Sequence, residues 1–254
     1  DPRGEHLVVV APSLSMDPRE LSKITGAHHY EERLLFFLML LRRPRTRVLF
    51  LTSQTINPTV VDYYLHLLAG VPTSHARKRL ILLDCADASN TPLSGKILSR
   101  PRMLRRIQEV IARFESAHMV CFNSSKLERT LAVQLGIPLY ANDPALLDLG
   151  TKSGCRETFT EAGILFPEGF ERLGSANEIT EALATLKGRH PDMRRAVVKL
   201  NEGFSGEGNA LFYFDGIEAA SARDLETQIR AKLPELRFEA KGETWESFEA
   251  KYED

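Results

Sequence analysis

The residues best placed to do chemistry lie in Arg195–Phe214, which reads RAVVKLNEGFSGEGNALFYF. A short apolar run, Ala196 to Val198, leads to Lys199. The segment Asn201 to Asn209 then carries Gly203, Gly206 and Gly208, and a second apolar run extends from Ala210 to Phe214. Two strand-like runs joined by a glycine-rich segment predict a β-hairpin with a permissive loop. Glycines remove the Cβ atoms that keep a ligand off the backbone, and they let successive N–H groups converge on one anion. A lysine at the strand end supplies the full positive charge that a polyphosphate requires. The chemistry these residues predict is a clamp on a nucleoside triphosphate, although glycine-rich hairpin loops also occur without a ligand. The loop is no Walker A motif, since no Gly-Lys-Ser/Thr closes it. It is no dinucleotide fingerprint either, because a strand follows it where a helix would be needed. The spacing Gly203-x-x-Gly206-x-Gly208 suits a flap over a nucleotide.

A second basic residue belongs with this loop. Lys152 stands near the start of a predicted helix, the unfavourable end of the helix dipole for a cation. Such a lysine is either a surface charge or one that reaches for an anion. Together with Lys199 and the glycine loop, it gives two ammonium groups and a pliable segment able to enclose one triphosphate.

Composition narrows the classes. Apolar residues make up 43% and charged residues 26% of the 254, ordinary proportions for a globular protein. The net charge of −1 provides no general attraction to nucleic acid or to an anionic membrane. Cys85, Cys121 and Cys155 are widely spaced and form no CxxC pattern. That spacing disfavours a zinc site and suits a reducing, cytoplasmic compartment. The apolar block Leu34 to Leu41 falls far short of the about 20 residues that span a bilayer. The adjacent His28 and His29, beside Glu31 and Glu32, lack a third partner with metal-ligand spacing.

These residues must be held by a framework, and the framework is legible as an alternation. Strand-like runs at His6–Pro12, Arg47–Thr52, Arg79–Leu83, Met119–Phe122 and Pro138–Tyr140 alternate with helical patterns at Tyr30–Arg43, Pro58–Leu68, Pro101–Glu115 and Lys126–Leu135. The pattern predicts an α/β layer with a doubly wound, mostly parallel sheet over residues 1–145. In the first turn of its helix, Glu31 and Glu32 read as charges complementing the dipole. Ser13–Ser15, Ser53–Gln54 and Asn123–Ser125 fall at strand carboxyl ends, where polar ligands bind in such sheets and where helix caps are equally at home. Residues 146–254 read as a smaller α+β unit: a helix through Glu161, an extended run Ile164–Phe170, a helix Ala176–Leu186, the hairpin, a helix Ala222–Leu233, a strand Arg237–Ala240 and a helix from Trp245 to Tyr252.

The residues that carry a resemblance are now in view. Lys152, then Gly163-Ile164-Leu165-Phe166-Pro167, then Lys199 and Gly203 to Gly208, stand in an order that resembles the ATP-grasp superfamily. The likeness is stronger still to its pheganomycin-type peptide ligase branch. That likeness rests on Tyr30-Glu31-Glu32-Arg33, Thr52-Ser53-Gln54, Asp62-Tyr63-Tyr64-Leu65, Lys96 to Pro101, Gly150 to Arg156 and Lys199 to Ala210. The resemblance implies a pre-ATP-grasp α/β domain at 1–145 and a small ATP-grasp subdomain at 146–254. It also implies a C-terminal subdomain missing from this chain, with catalytic residues and magnesium ligands expected beyond Asp254. The activity implied is ATP-dependent joining of a carboxylate to an amine through an acylphosphate, with release of ADP and phosphate. ATP and Mg2+ would be the cofactors, and a small molecule or peptide the partner; nucleic acid and membrane are not implied, and a homo-oligomer is compatible. Lys152, Lys199, Glu202, Gly203, Ser205, Gly206, Gly208 and Asn209 would bind the nucleotide. Members of this branch also occur in larger proteins beside IQ motifs, so a degenerate ATP-binding regulatory or scaffold module is the alternative.

Overall fold

The structure, a computed structural model, describes residues 4–16, 21–22, 24–202, 206 and 208–251. It divides into two units, Asp1–Ala145 and Leu146–Asp254.

The first unit is built on strands β1 (His6–Ala11), β2 (Thr46–Thr52), β3 (Leu80–Asp84), β4 (Ser116–Cys121) and β5 (Leu139–Tyr140). All pair in parallel, in the order β3-β2-β1-β4-β5. The chain steps outward from β1 to β3, then returns to the other side of β1 with β4. That reversal puts the topological switch point between β1 and β4, the place where open α/β sheets take ligands. Because side chains alternate across each strand, the two faces divide cleanly. Val8, Val10, Val48, Phe50 and Val120 pack on helices α1 (Ala27–Arg42), α2 (Pro58–His66) and α3 (Thr73–Arg77). Leu7, Val9, Leu49, Leu51 and Met119 pack on α4 (Leu93–Leu98), α5 (Pro101–Ile111) and α6 (Lys126–Leu135). Burial on both faces is why β1 and β2 carry unbroken apolar runs.

Helix α1 starts earlier than its apolar run suggests and is wound as a 3₁₀ helix along its 16 residues. Side chains three apart are eclipsed in that winding. Leu35, Leu38 and Leu41 accordingly form one buried row, while Phe36 and Met39 are exposed. Short helices α3 and α4 are absent from the sequence reading; at five and six residues, they are too brief for a periodic signal.

The reading of Glu31 as a dipole charge is wrong. With the helix beginning at Ala27, Glu31 lies beyond the first turn and is buried. Its carboxylate accepts from Ser53 N and Ser53 Oγ, each at 2.6 Å. The Lys96 ammonium, also buried, donates to Ser53 Oγ at 2.9 Å and to the carbonyls of Asp87 and Ser89 at 2.9 and 2.8 Å. Ser53, at the carboxyl end of β2, thus sits between a buried acid and a buried base.

The second unit holds an antiparallel sheet of β6 (Arg195–Lys199), β7 (Asn209–Tyr213) and β8 (Arg237–Phe238), in that order. Helices α7 (Lys152–Glu161), α8 (Ala176–Arg189), α9 (Ala222–Lys232) and α10 (Trp245–Glu249) complete it. Ile179, Leu183, Ile229 and Phe248 from α8, α9 and α10 cover Ala210 and Phe212 on one face of the sheet. On β6, Arg195, Val197 and Lys199 alternate with these inward positions and are exposed. Ile164–Phe170, expected as an extended run, takes no regular element. The last helix ends at Glu249, short of the expected Tyr252, with Ala250 and Lys251 in a turn; residues 252–254 lie outside the described residues. Among the described residues, no helix is long and apolar enough to cross a membrane.

Burial raises the Glu31 carboxyl from 4.5 to about 7, against the lowering effect of its bonds to Ser53 and the charge of Lys96. An acid whose folded pKa exceeds its unfolded one holds its proton more tightly when folded. Its contribution to stability is therefore greatest below pH 4.5 and declines as pH rises toward 7. Urea unfolding of the chain and of Glu31→Gln between about pH 5 and pH 8 should show the native chain losing up to about 3 kcal/mol more than the variant. Parallel pH profiles would contradict this account of Glu31.

Candidate functional site

Lys152 is the first residue of α7, and Lys199 the last of β6. The start of α7 is fixed by its own sequence. Thr151 caps it, accepting from Gly154 N at 3.1 Å while its hydroxyl donates to the Asp148 carbonyl at 2.7 Å. Gly154 is required there by close approach, because a Cβ at this position would lie 2.0 Å from the Asp148 carbonyl oxygen. Arg156 and Arg172 then bind the helix to the segment that follows it. Arg156 pairs with Glu171 and donates to the Pro167 carbonyl at 2.9 Å. Arg172 reaches Glu157 at 2.5 and 2.7 Å and Asp148 at 2.9 Å.

The hairpin closes on the other side. Lys199 stands opposite Asn209 in the β6–β7 register. Leu200 N donates to the Gly208 carbonyl at 2.8 Å, and Asn209 N to the Gly206 carbonyl at 3.0 Å. The Asn209 carbonyl accepts from Glu239 N at 3.0 Å, so this residue also anchors the loop to the chain beyond β8. Gly206 does not adopt a positive φ, and an added Cβ would meet only the Asn209 side-chain amide at 3.7 Å. Its contribution is therefore open space, and the backbone freedom expected of it is not used. Gly203 and Ser205 lie outside the described residues.

Asn201 brings the two elements together. Its side-chain oxygen accepts from Ser153 N at 2.9 Å, and its carbonyl accepts from Lys152 N at 3.4 Å. The Lys152 ammonium also lies 3.4 Å from that carbonyl. The first backbone donors of α7 are thereby occupied: Lys152 N and Ser153 N by Asn201, Gly154 N by Thr151. An anion here would be met by side-chain charge, since the usual anion site at a helix N-terminus is already filled from within.

The charges agree with that division. The Lys152 pKa is lowered, first by burial, then by the positive charge of Lys199, with Glu202 opposing both. Lys152, Lys199 and Glu202 are thus within electrostatic reach of one another. Two ammonium groups against one carboxylate leave net positive charge around the partly buried Lys152, which an anion would relieve. Asn201 went unnoticed in the sequence as a site residue; its contacts span 48 and 49 positions, beyond any local pattern.

The polar strand ends of the first unit are occupied among themselves. Ser15 N donates to Asn123 Oδ1 at 3.0 Å, and Asn123 Nδ2 to the Ser15 carbonyl at 2.8 Å, joining the loops after β1 and β4. Ser125 caps α6 in a capping box with Glu128. Among the described residues, no group of three or more His, Cys, Asp or Glu side chains could hold a metal ion, which includes His28 and His29.

Comparison with known proteins bears directly on this site. Residues 144–242, which contain both lysines and the hairpin, match the family model described as IQCH-like, ATP-grasp. These residues are thus similar to an ATP-grasp segment. The chain is 29% identical over 206 residues to L-propargylglycine--L-glutamate ligase of Streptantibioticus cattleyicolor, covering 79% of this chain and 42% of that one. It is 27% identical over 224 residues to IQ motif-containing protein H of Danio rerio, covering 82% of this chain and 21% of the relative. It therefore spans less than half the length of either curated relative. No solved structure matches. The resemblance to the ATP-grasp superfamily and its peptide ligase branch is borne out, as is the α/β unit followed by a small α+β unit.

Gly154→Ala tests how closely the start of α7 is fixed. The 2.0 Å approach to Asp148 forces the backbone to shift, and the substitution should cost about 1–3 kcal/mol of unfolding free energy. A denaturation midpoint equal to that of the native chain would show that the helix start is not held as described.

Proposed function

We propose that this chain is the part of an ATP-dependent carboxylate–amine ligase that grips the nucleotide phosphates. The supporting observation is the pairing of Lys152 and Lys199 about Asn201, with the depressed Lys152 pKa as its electrostatic sign. Kinship to a ligase that joins two amino acids, at 29% identity, supports the same reading.

The chemical need is plain. A carboxylate is a poor electrophile, and ATP activates it by phosphorylation to an acylphosphate that an amine can attack, leaving ADP and phosphate. Negative charge spreads over the transferring oxygens as this occurs, so catalysis is mainly positioning and charge stabilisation. Lys152 and Lys199 would each hold phosphoryl oxygens. Burial of Lys152 strengthens that hold, since charge attracts charge more strongly away from water. Gly206 and Gly208, with Gly203 and Ser205, would cover the phosphates from the hairpin. Glu202 and Asn209 would flank them, with Glu202 keeping the paired ammonium groups compatible before nucleotide enters. The described residues do not fit a magnesium cage, so no step is assigned to the metal. Cys85, Cys121 and Cys155 are free thiols, in keeping with a reducing compartment.

A second reading is a nucleotide-binding regulatory or scaffold module without ligation. The IQCH-like description of the segment and the similarity to IQ motif-containing protein H favour it.

The two readings separate in an assay on the whole protein that carries this chain, with ATP, pooled amino acids and peptides. The ligase reading expects ADP release that depends on both a carboxylate and an amine. Lys199→Ala should lower that rate at least about tenfold. ATP binding without amine-dependent ADP release favours the module, and an unchanged rate in Lys199→Ala removes that lysine from the site.

A further inference from the structure

The net charge of −1 is an average over two unlike halves. Residues 1–145 carry 19 lysines and arginines against 13 acids, and residues 146–254 carry 14 against 21. Within the first unit the excess is concentrated further. Between Glu32 and Asp84 stand eight lysines and arginines and one acid, Asp62. Asp62 is engaged by Arg77, and Glu5, ahead of this stretch, by Arg47 at 2.7 and 3.1 Å. Arg33, Arg42, Arg43, Arg45 and Lys78 are exposed.

The end of α1 is built to present these charges. Arg79 donates to the carbonyls of Leu41, Arg43 and Thr46 at 2.6, 2.7 and 3.1 Å. It thereby closes the helix and fixes the turn on which Arg42, Arg43 and Arg45 stand. Arg47 donates to the Lys78 carbonyl at 3.3 Å, which brings the turn before β3 alongside. Because residues three apart are eclipsed in the 3₁₀ winding of α1, Arg33, Phe36, Met39 and Arg42 form one outward row about 18 Å long. Phe36 and Met39 are 50% and 53% exposed, with an arginine at each end of the row. From Arg33 to Arg45 the chain has only apolar residues and arginines, without a hydroxyl or a carboxamide.

Three kinds of polyanion answer such charge: nucleic acid, an acidic protein segment and an anionic lipid surface. Nucleic acid is held through hydroxyl and amide side chains as well as through arginine, and this row has neither. Phe36 is also stacked on Phe37, with ring centroids 4.5 Å apart, so one of its faces is closed to a base. An acidic helix docks into a groove, whereas this row stands on the convex outer side of a helix. A second copy presenting the same row would set arginine against arginine. A lipid surface uses both parts of the row. Phe36 and Met39 enter the boundary of the acyl chains, while the arginines stay level with the lipid phosphates. We propose that α1 and the turn after it form a peripheral docking surface for an anionic phospholipid membrane. The contact is shallow, because Leu34, Leu35, Leu38 and Leu41 of the same helix are buried against the sheet.

Co-sedimentation of the full chain with vesicles tests it. One set is phosphatidylcholine alone, the other equal parts of phosphatidylcholine and phosphatidylserine. The chain should bind the anionic vesicles at least about tenfold more tightly, and less tightly as salt is raised. Arg42→Glu combined with Arg43→Glu should weaken that binding by about tenfold or more, and Phe36→Ser combined with Met39→Ser should do the same. All four positions are exposed, and thermal melts confirm that each variant is folded. Lys199→Ala should bind the vesicles as the native chain does, which separates this surface from the phosphate site. Equal binding to both vesicle types, anionic binding unchanged in either folded variant, or binding lost in Lys199→Ala would overturn the proposal. Binding to an oligothymidylate or to polyglutamate without binding to anionic vesicles would assign the patch to nucleic acid or to an acidic protein, and would overturn it as well.

Discussion

Asn201 decides what kind of anion site the second unit can offer. A helix start normally presents unpaired N–H groups, and these suffice to hold a phosphate. Here Asn201 occupies two of them and Thr151 a third. The same contacts draw the end of β6 to the start of α7, so that the charge of Lys199 is felt at Lys152. An anion bound there, as proposed, would meet two full charges in place of the weaker, diffuse attraction of backbone dipoles. Gly154 serves the same end, since only a residue without a side chain lets the Asp148 backbone lie against the helix start.

The first unit follows a different plan. Its sheet is buried on both faces, and its polar strand ends are mostly joined to one another. Ser53 stands between the buried Glu31 and Lys96, and this row ties α1 and the loop before α4 to the edge of β2. A buried acid–base pair is a poor source of net stability. Its worth here is positional: it fixes the backbone on which Thr52 and Gln54 stand.

Much of this was legible in the sequence, for reasons that differ between elements. Strands β1 to β3 carry unbroken apolar runs, and the hairpin is two such runs around glycines; both signals are local. The first helix was found through its leucines, but its start was placed too late, because the apolar row begins after Ala27 and His28. Glu31 was misread for the same reason. Whether a glutamate lies on a surface or under a sheet depends on Ser53 and Lys96, residues 22 and 65 positions away. Asn201 and Gly154 were present in the motifs that carried the family resemblance, yet their roles follow only from a close approach between distant elements. The short helices α3 and α4 left no periodic trace at all.

The ionisation of Lys152 tests the central claim most directly. Nuclear magnetic resonance of labelled lysine side chains can follow its ammonium group through a pH titration. The account predicts a depressed pKa that rises in Lys199→Met, where the neighbouring charge is gone, and rises again when tripolyphosphate binds the native chain. A Lys152 titration unmoved by either the substitution or the polyanion would contradict a shared phosphate site.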